Sequence, residues 1–486
     1  MSLFGMDYGL LIDGAAVDTE ERLSVDAPAT GDVLGTVASG TAAQTADAIE
    51  AAQRAAREWR YSDPSERSAP LAAVADRIED EADEIAELLS RETGKCLATA
   101  EGEVAETVAQ FRFYAGVTDK VRGDTVPTPS NRFNYTKRVP YGVTAHIVPW
   151  NYPLLLGSRS IAAALATGNT VVAKAPSQAP LTTMWYGEFL VEEFPDGVVN
   201  LLSGPGSEVG GELSDNANVD AISFTGSTMV GQHVLESAAK HIIPVDVELG
   251  GKAPAIVLPD ADPKNAAVGV ATGIFSNTGQ NCVAQSRLIV HEDIKEEVVD
   301  EIVAQAEAIT LGPGTDPETD MGAVISEDAL EDMLNYIEVG KKEGATLLTG
   351  GKRPDDPELA DGNFLEPTVF DDVTNDMRIA QEEIFGPVLS VITVSSVEEA
   401  IELANDSNFA LAASLWTGSL DATRYADRLD HGLVAVNTFP VSMPQSPWGG
   451  NKRSGIGREG GLEGVEAFTT VNSVVVEHGD MGAGYR

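Results

Sequence analysis

Between Thr170 and Leu249 short β-branched or apolar runs alternate with longer helical stretches. Thr170-Val171-Val172-Ala173-Lys174 precedes a helical run from about Leu181 to Glu193. Val198-Val199-Asn200-Leu201-Leu202 precedes a shorter one around Glu208 to Ser214, and Ala221-Ile222-Ser223-Phe224 one beginning near Ser227. Val245-Asp246-Val247-Glu248-Leu249 closes the series. Neighbouring parallel strands need a crossover of about a dozen residues, normally a helix, so this rhythm implies βαβ units and a parallel sheet. A doubly wound parallel sheet binds its ligands at the carboxyl ends of its strands. The residues that follow each strand are therefore the first candidates for a site.

The rest of the chain divides around this core. Residues 41 to 117 place apolar positions at helical spacing among acids, as in Ala72-Ala73-Val74-Ala75-Asp76-Arg77-Ile78. Arg138 to Val148 reads as an extended pair. After Gly250-Gly251 a second alternating region contains Ala255-Ile256-Val257-Leu258, Arg287-Leu288-Ile289-Val290 and Val388-Leu389-Ser390-Val391-Ile392, which puts a domain boundary near Gly250. The C-terminal run Asn472-Ser473-Val474-Val475-Val476-Glu477 reads as an isolated strand with no hairpin partner nearby, a pattern that suits pairing with another subunit. With 486 residues and no internal repeat or low-complexity segment, two large domains are expected.

Charge narrows the function classes. The chain has 32 basic and 76 acidic residues, a formal net charge of −44. Such a surface repels nucleic acid and anionic lipid, which argues against both as partners. The acids are spread along the chain, as in Glu79-Asp80-Glu81-Ala82-Asp83-Glu84 and Asp355-Asp356, and are not gathered in a tail. An even spread suits a surface working in high salt, where self-repulsion is screened over a few ångström, and points to a halophilic source. No apolar run reaches the ~20 residues that span a bilayer. Residues Met1 to Asp13 lack the basic start of a secretory signal, so a cytoplasmic location is expected.

Cys282 lies in Asn277-Thr278-Gly279-Gln280-Asn281-Cys282, a polar, turn-like stretch. The only other cysteine is Cys96, which excludes disulfide frameworks and multi-cysteine metal sites. A lone thiol there is either an inert small hydrophobe or a nucleophile. Gly204-Pro205-Gly206-Ser207-Glu208-Val209-Gly210 approaches a dinucleotide fingerprint with spacing one residue too long. Phe224-Thr225-Gly226-Ser227-Thr228-Met229-Val230-Gly231 is either an ordinary tight turn or a phosphate site at a helix N-terminus. Glu248-Leu249-Gly250-Gly251-Lys252 offers a strand-end carboxylate, either a solvated acid or a general base. Pro149-Trp150-Asn151-Tyr152-Pro153 holds an amide rigidly between two prolines, as an oxyanion donor requires. Glu383-Ile384-Phe385-Gly386-Pro387 sets a carboxylate and a ring ahead of a strand.

Taken together and in this order, these pieces resemble the aldehyde dehydrogenase superfamily along nearly the whole chain. Pro447-Trp448-Gly449-Gly450 and Lys452-Arg453-Ser454-Gly455-Ile456-Gly457-Arg458-Glu459 extend the match. The resemblance implies an α/β fold: a Rossmann-like cofactor domain (residues 1–117 and 141–249), an α/β catalytic domain (250–467) and a small β oligomerisation element (118–140 and 468–486), in a homodimer or homotetramer. It implies that Cys282 attacks an aldehyde, that a hydride leaves for a nicotinamide, and that water hydrolyses the resulting thioester to an acid. Asn151 then holds the oxyanion with the Cys282 backbone N–H, and Glu248 activates the water. Members that pass the acyl group to coenzyme A lack the glutamate at this position, so Glu248 favours hydrolysis. The coenzyme A-acylating reaction, and a non-catalytic binding protein of the same fold, are the alternatives.

The same resemblance assigns the cofactor contacts. Lys174 reaches the adenosine ribose, with Ser177 and Gly206 alongside; Gly226 and Ser227 serve the pyrophosphate; Glu383 serves the nicotinamide ribose, and Phe385 flanks the ring; Trp150 and Gly231 are further cofactor contacts. NAD-preferring members commonly carry glutamate where this chain has Ser177. A hydroxyl beside Lys174 removes the charge that repels a 2′-phosphate, so NADP is predicted, with NAD as the alternative. Tyr152 and Arg159 are the candidate substrate contacts. Semialdehyde dehydrogenases carry an arginine at the Arg159 position that binds the substrate carboxylate, and an arginine at the mouth of an apolar tunnel suits that task. They use a second arginine where this chain has Ser276. The alternative for Arg159 is a salt bridge with one of the many acids.

Overall fold

The computed structural model describes residues 5–478. An eight-stranded sheet forms the first half of the molecule. Its five parallel strands run in the spatial order Val245–Glu248, Ala221–Thr225, Val143–Ile147, Thr170–Lys174, Val199–Leu202. The chain starts in the middle at Val143–Ile147, winds outward through Thr170–Lys174 and Val199–Leu202, then returns to add strands on the other side. Its switch point lies between Val143–Ile147 and Ala221–Thr225, where a crevice opens at the carboxyl ends. The helix Leu181–Glu193 spans the residues its sequence pattern indicates. Of the four helices between Ala42 and Ala115, the last three form one core with the helix Pro153–Ala166, while Ala48, Ile49 and Ala52 of the first pack with Val143 and Val172 of the sheet in another.

The helix Pro153–Ala166 is buried along its whole length. A buried helix start leaves N–H groups without water, and these need protein acceptors. Glu103 supplies one: its Oε1 accepts from the N–H groups of Leu154 (2.9 Å) and Leu155 (3.3 Å). Lys95 pairs with the other Glu103 oxygen, and both side chains are fully buried.

A seven-stranded sheet, parallel except for the edge strand Thr346–Thr349, forms the second half. A three-stranded antiparallel sheet joins Thr125–Val126, Arg132–Pro140 and Thr469–Glu477. Two expectations change here. Arg138 to Val148 is not one extended pair: Arg132–Pro140 belongs to the three-stranded sheet and Val143–Ile147 to the eight-stranded one. The break at Pro140-Tyr141-Gly142 sends the chain from one to the other, and Asn169 Oδ1 accepts from the Gly142 N–H at 3.0 Å. The C-terminal strand is not isolated: it is the edge strand of that sheet. It pairs with Arg132–Pro140 of its own chain, in register from Thr469↔Pro140 to Glu477↔Arg132. That partner is remote in sequence, which local pattern reading does not reach. The remainder of the expected C-terminal element, residues 479–486, and the N-terminal residues 1–4 lie outside the described residues.

Candidate active site

The crevice at the switch point deepens into a cavity of about 550 Å³ between the two large sheets. Its wall brings together Cys282, Glu248, Asn151, Trp150, Lys174, Ser177, Gly206, Gly226, Ser227, Glu383 and Phe385. They come from strand ends, helix starts and loops spread over most of the chain.

The loop carrying Cys282 is unusual backbone. Asn277, Thr278 and Gly279 have φ of 52°, 58° and 67°, three left-handed residues in succession. For the two non-glycine residues this conformation costs energy, which the surroundings offset. Asn277 Nδ2 donates to the Gln280 carbonyl at 3.1 Å, and Thr278 Oγ1 donates to the Gly322 carbonyl at 3.1 Å. A Cβ on Gly279 would collide with the Gly386 backbone, so the loop presses directly on the Glu383–Pro387 segment. Asn151 Nδ2 also donates to the Gln280 carbonyl, at 3.1 Å. The amide opposite Cys282 is thus tied to the thiol's own loop, and Lys95 Nζ holds it from behind by donating to the Asn151 carbonyl at 2.7 Å.

Gly250 and Gly251 let the chain pass between two reactive groups. A Cβ on Gly251 would strike the Cys282 carbonyl, and one on Gly250 the Glu383 carboxylate. The Gly251 N–H donates to Glu383 Oε1 at 2.8 Å. Burial raises Glu383 to about 7.

Burial pushes the Cys282 thiol up to about 12; the Arg159 charge opposes the rise, while Glu383 and Glu248 add to it. Glu248 is 3% exposed, and neither of its oxygens has a hydrogen-bond partner among the described residues. Burial, then the carboxylates of Glu459 and Asp246, raise it well above the usual carboxylate range. The thiol therefore holds its proton at neutral pH in this state.

The opposite end of the cavity suits a nucleotide. Lys174 Nζ donates to Ser177 Oγ at 3.1 Å, Ser177 Oγ donates to the Gly204 carbonyl at 3.2 Å, and burial lowers Lys174 to about 8. Ser227 caps the helix Thr228–His241, its Oγ accepting from the Val230 N–H at 3.4 Å. A Cβ on Gly226 would lie 2.7 Å from the Phe224 ring, so only glycine lets the backbone line the cavity there. Trp150 and Phe385 meet edge to face at 5.6 Å. A buried cation, backbone exposed at a helix N-terminus and an aromatic pair fit a dinucleotide.

Three expected contacts are not on that wall. Gly231 sits one turn into its helix against Leu249 and does not reach the cavity wall. Tyr152 lies beneath Lys95, whose Nζ is 4.1 Å from its ring centroid. Arg159 is not at an open tunnel mouth. It is 1% exposed, and its Nε donates to Glu459 Oε2 at 2.7 Å. Burial opposes its charge, but the carboxylates of Glu459 and Glu248 raise it further. The sequence contains the acid that draws it inward, three hundred residues downstream. Asp246, two positions before Glu248, was not singled out, although strand periodicity alone places both on one face. Lys95 and Glu103 carry no sequence signal for their place behind Asn151.

Comparison with known proteins gives one consistent answer. Residues 16–474 match the sequence pattern of the aldehyde dehydrogenase family. A betaine aldehyde dehydrogenase of Bacillus subtilis is 42% identical over 476 residues, 96% of this chain and 97% of its own. An alpha-ketoglutarate semialdehyde dehydrogenase of Haloferax volcanii is 41% identical over 464 residues, 94% of this chain and 96% of its own. Among solved structures, the NAD+ complex of an aldehyde dehydrogenase from Bacillus cereus superposes with a TM-score of 0.95 at 40% identity, covering 98% of both chains.

Proposed function

The chain belongs to the aldehyde dehydrogenase family, and from that premise we propose that it oxidises an aldehyde to the free carboxylic acid through a covalent intermediate on Cys282. It is an NAD(P)-dependent oxidoreductase with a Rossmann-like cofactor domain, an α/β catalytic domain and a small β element. The observation that carries the hydrolytic reading is Glu248, which shares one cavity wall with Cys282 and Asn151 and has both carboxyl oxygens free.

The Cys282 thiol gives up its proton to water and its sulfur adds to the aldehyde carbon, whose oxygen becomes the oxyanion. An asparagine amide has two N–H donors; one of Asn151 is used on the Gln280 carbonyl, and the other, with the Cys282 backbone N–H, holds the oxyanion. The bound nicotinamide supplies the hydride acceptor. Glu248 takes a proton from water as the water oxygen attacks the thioester, and the C–S bond breaks to return Cys282. Lys174, Ser177 and Gly206 hold the adenosine end, Gly226 and Ser227 the pyrophosphate, and Glu383, Phe385 and Trp150 the nicotinamide end. With a hydroxyl at 177 and a buried cation beside it, we assign NADP as the preferred cofactor, with NAD as a second.

The finer features follow from the surface and the edges. The charge of −44 suits a cytoplasmic enzyme of a high-salt cell. Exposed Val471, Val475 and Phe133 on the three-stranded sheet suit contact between copies in a dimer or tetramer. A carboxylate-bearing semialdehyde is the second substrate reading, supported by the 41% identity to the alpha-ketoglutarate semialdehyde dehydrogenase of Haloferax volcanii.

Product analysis tests the main reading. With aldehyde and either cofactor, reduced nicotinamide and free acid form in equal amounts without coenzyme A. Cys282→Ala abolishes both; Glu248→Gln keeps a single burst of reduced nicotinamide and loses turnover. Acyl-coenzyme A as the sole product, or full turnover by Glu248→Gln, overturns it.

A further inference from the structure

The two donors assigned to the oxyanion come from different halves of the molecule. Asn151 follows the strand Val143–Ile147 of the eight-stranded sheet, and Cys282 precedes the strand Arg287–His291 of the seven-stranded one. Three amide contacts close a ring between them. Asn151 Nδ2 and Asn277 Nδ2 both donate to the Gln280 carbonyl at 3.1 Å, and Asn277 Nδ2 also donates to the Asn151 carbonyl at 3.4 Å. The ring ties the donors to each other. The turn Gly94-Lys95 ties the ring to the fold from both sides.

Lys95 grips the Asn151 side. It is 1% exposed; its Nζ donates to the Asn151 carbonyl at 2.7 Å, pairs with Glu103 and lies 4.1 Å from the Tyr152 ring centroid. Glu103 accepts in turn from the N–H groups of Leu154 and Leu155. The pair thus holds the backbone before and after Tyr152, in a dry interior where such hydrogen bonds are electrostatically strong.

Gly94 grips the thiol side. It ends the helix Ala82–Thr93 with φ of 81°, and its carbonyl accepts from the Ala323 N–H at 3.1 Å. A Cβ on Gly322 would collide with that carbonyl, so the two segments touch backbone to backbone. The Gly322 carbonyl accepts from Thr278 Oγ1 at 3.1 Å, and the Ile325 N–H donates to Gln280 Oε1 at 2.9 Å. One turn therefore supports Asn151 directly and the Cys282 loop through residues 322–325.

We propose that Lys95 is a positioning residue for the oxyanion, holding the Asn151 amide at the spacing from the Cys282 loop where both N–H groups reach one oxygen. This rests on Asn151 and the Cys282 N–H being the oxyanion donors. Lys95 does not line the cavity and acts through the Asn151 backbone. Donors aimed in advance at developing charge stabilise it most, and a shift of about 1 Å costs up to about a hundredfold in rate.

The test compares a step that forms an oxyanion with one that does not. Single-turnover reduction of nicotinamide by propanal, with enzyme in excess, passes through the oxyanion. Iodoacetamide alkylates the same sulfur by displacement and forms none. Lys95→Met with Glu103→Gln removes both charges together and leaves the glutamine oxygen to accept from Leu154 and Leu155. The single-turnover rate falls roughly tenfold to a hundredfold, while alkylation at the same pH stays within about twofold. Lys95→Arg, which keeps a donor for the Asn151 carbonyl, recovers most of the rate. In an Asn151→Ala background the same pair of changes costs less than about twofold more, because the amide it positions is gone. If the double variant does not fold, Lys95→Gln, which spares Glu103, replaces it with the same split expected. Equal losses in both reactions, an unchanged single-turnover rate, or a full further loss in Asn151→Ala overturns the proposal. If Asn151→Ala alone keeps the single-turnover rate, the oxyanion assignment itself is what has failed.

Discussion

Arg159 and Glu459 form an ion pair sealed from solvent. Both side chains are 1% exposed, and the guanidinium lies 4.9 Å from the Trp448 ring centroid. Removing one partner of such a pair leaves the other buried and uncompensated, at about 3–5 kcal/mol. The pair also keeps the cation within reach of both Cys282 and Glu248, whose protonation it biases toward the charged forms.

Arg159→Met therefore destabilises the fold by about 3 kcal/mol, and adding Glu459→Gln recovers part of the loss. Denaturant titrations of the single and double variants measure this. Because the cation is spent on Glu459, the variant lowers kcat for an alkanal and for a dicarboxylic semialdehyde alike. A rise in KM confined to the semialdehyde would instead make Arg159 the carboxylate reader.

The Cys282 thiol, raised to about 12 chiefly by burial, is protonated in the cofactor-free enzyme at neutral pH. Only the thiolate alkylates, so the iodoacetamide rate constant rises about tenfold per pH unit through the neutral and mildly alkaline range without a plateau. Glu248→Gln removes a neighbouring acid that raises the thiol once ionised, and so speeds alkylation at the same alkaline pH. A plateau near neutrality would show that the thiolate is already present.

Ser177→Glu tests the adenosine end. A carboxylate 3 residues beyond Lys174 would meet a 2′-phosphate directly and compete for the lysine that Ser177 now contacts at 3.1 Å. The kcat/KM with NADP falls roughly tenfold to a hundredfold, or about 1.4–2.8 kcal/mol, while that with NAD rises or holds. Lys174, lowered to about 8 by burial, loses its charge as pH rises through that value. The KM for NADP in the unaltered enzyme accordingly climbs between neutral and alkaline pH, more steeply than that for NAD.

Much of this was legible in the residues, and what was not has a physical cause. The parallel strands from Thr170–Lys174 to Val245–Glu248 follow from local pattern, because each needs only its own residues and a crossover. The strand Thr469–Glu477 also reads as a strand, but its partner Arg132–Pro140 is set by closure of the whole chain. The site divides in the same way. Residues on strand ends and tight turns, such as Glu248, Gly226 and Cys282, announce themselves by local sequence. Lys95 meets the Asn151 carbonyl only because two helices pack, and Arg159 turns inward only because Glu459 arrives from far downstream.

The acidic surface supplies the last prediction. Net charge is −44, and runs such as Glu79, Asp80, Asp83 and Glu84 are exposed. Folding brings these charges closer than the extended chain does, so self-repulsion opposes the compact state. The screening length shrinks from about 10 Å at 0.1 M salt to about 3 Å at 1 M, below the spacing of most surface neighbours. Thermal midpoints in KCl should therefore rise steeply up to about molar salt and then level off. Matched runs in KCl and in a neutral osmolyte separate screening from preferential exclusion, because only the salt removes the repulsion. Equal midpoints in dilute buffer and in molar KCl would mean that surface charge does not limit the fold, and the high-salt reading of the composition would fall with it.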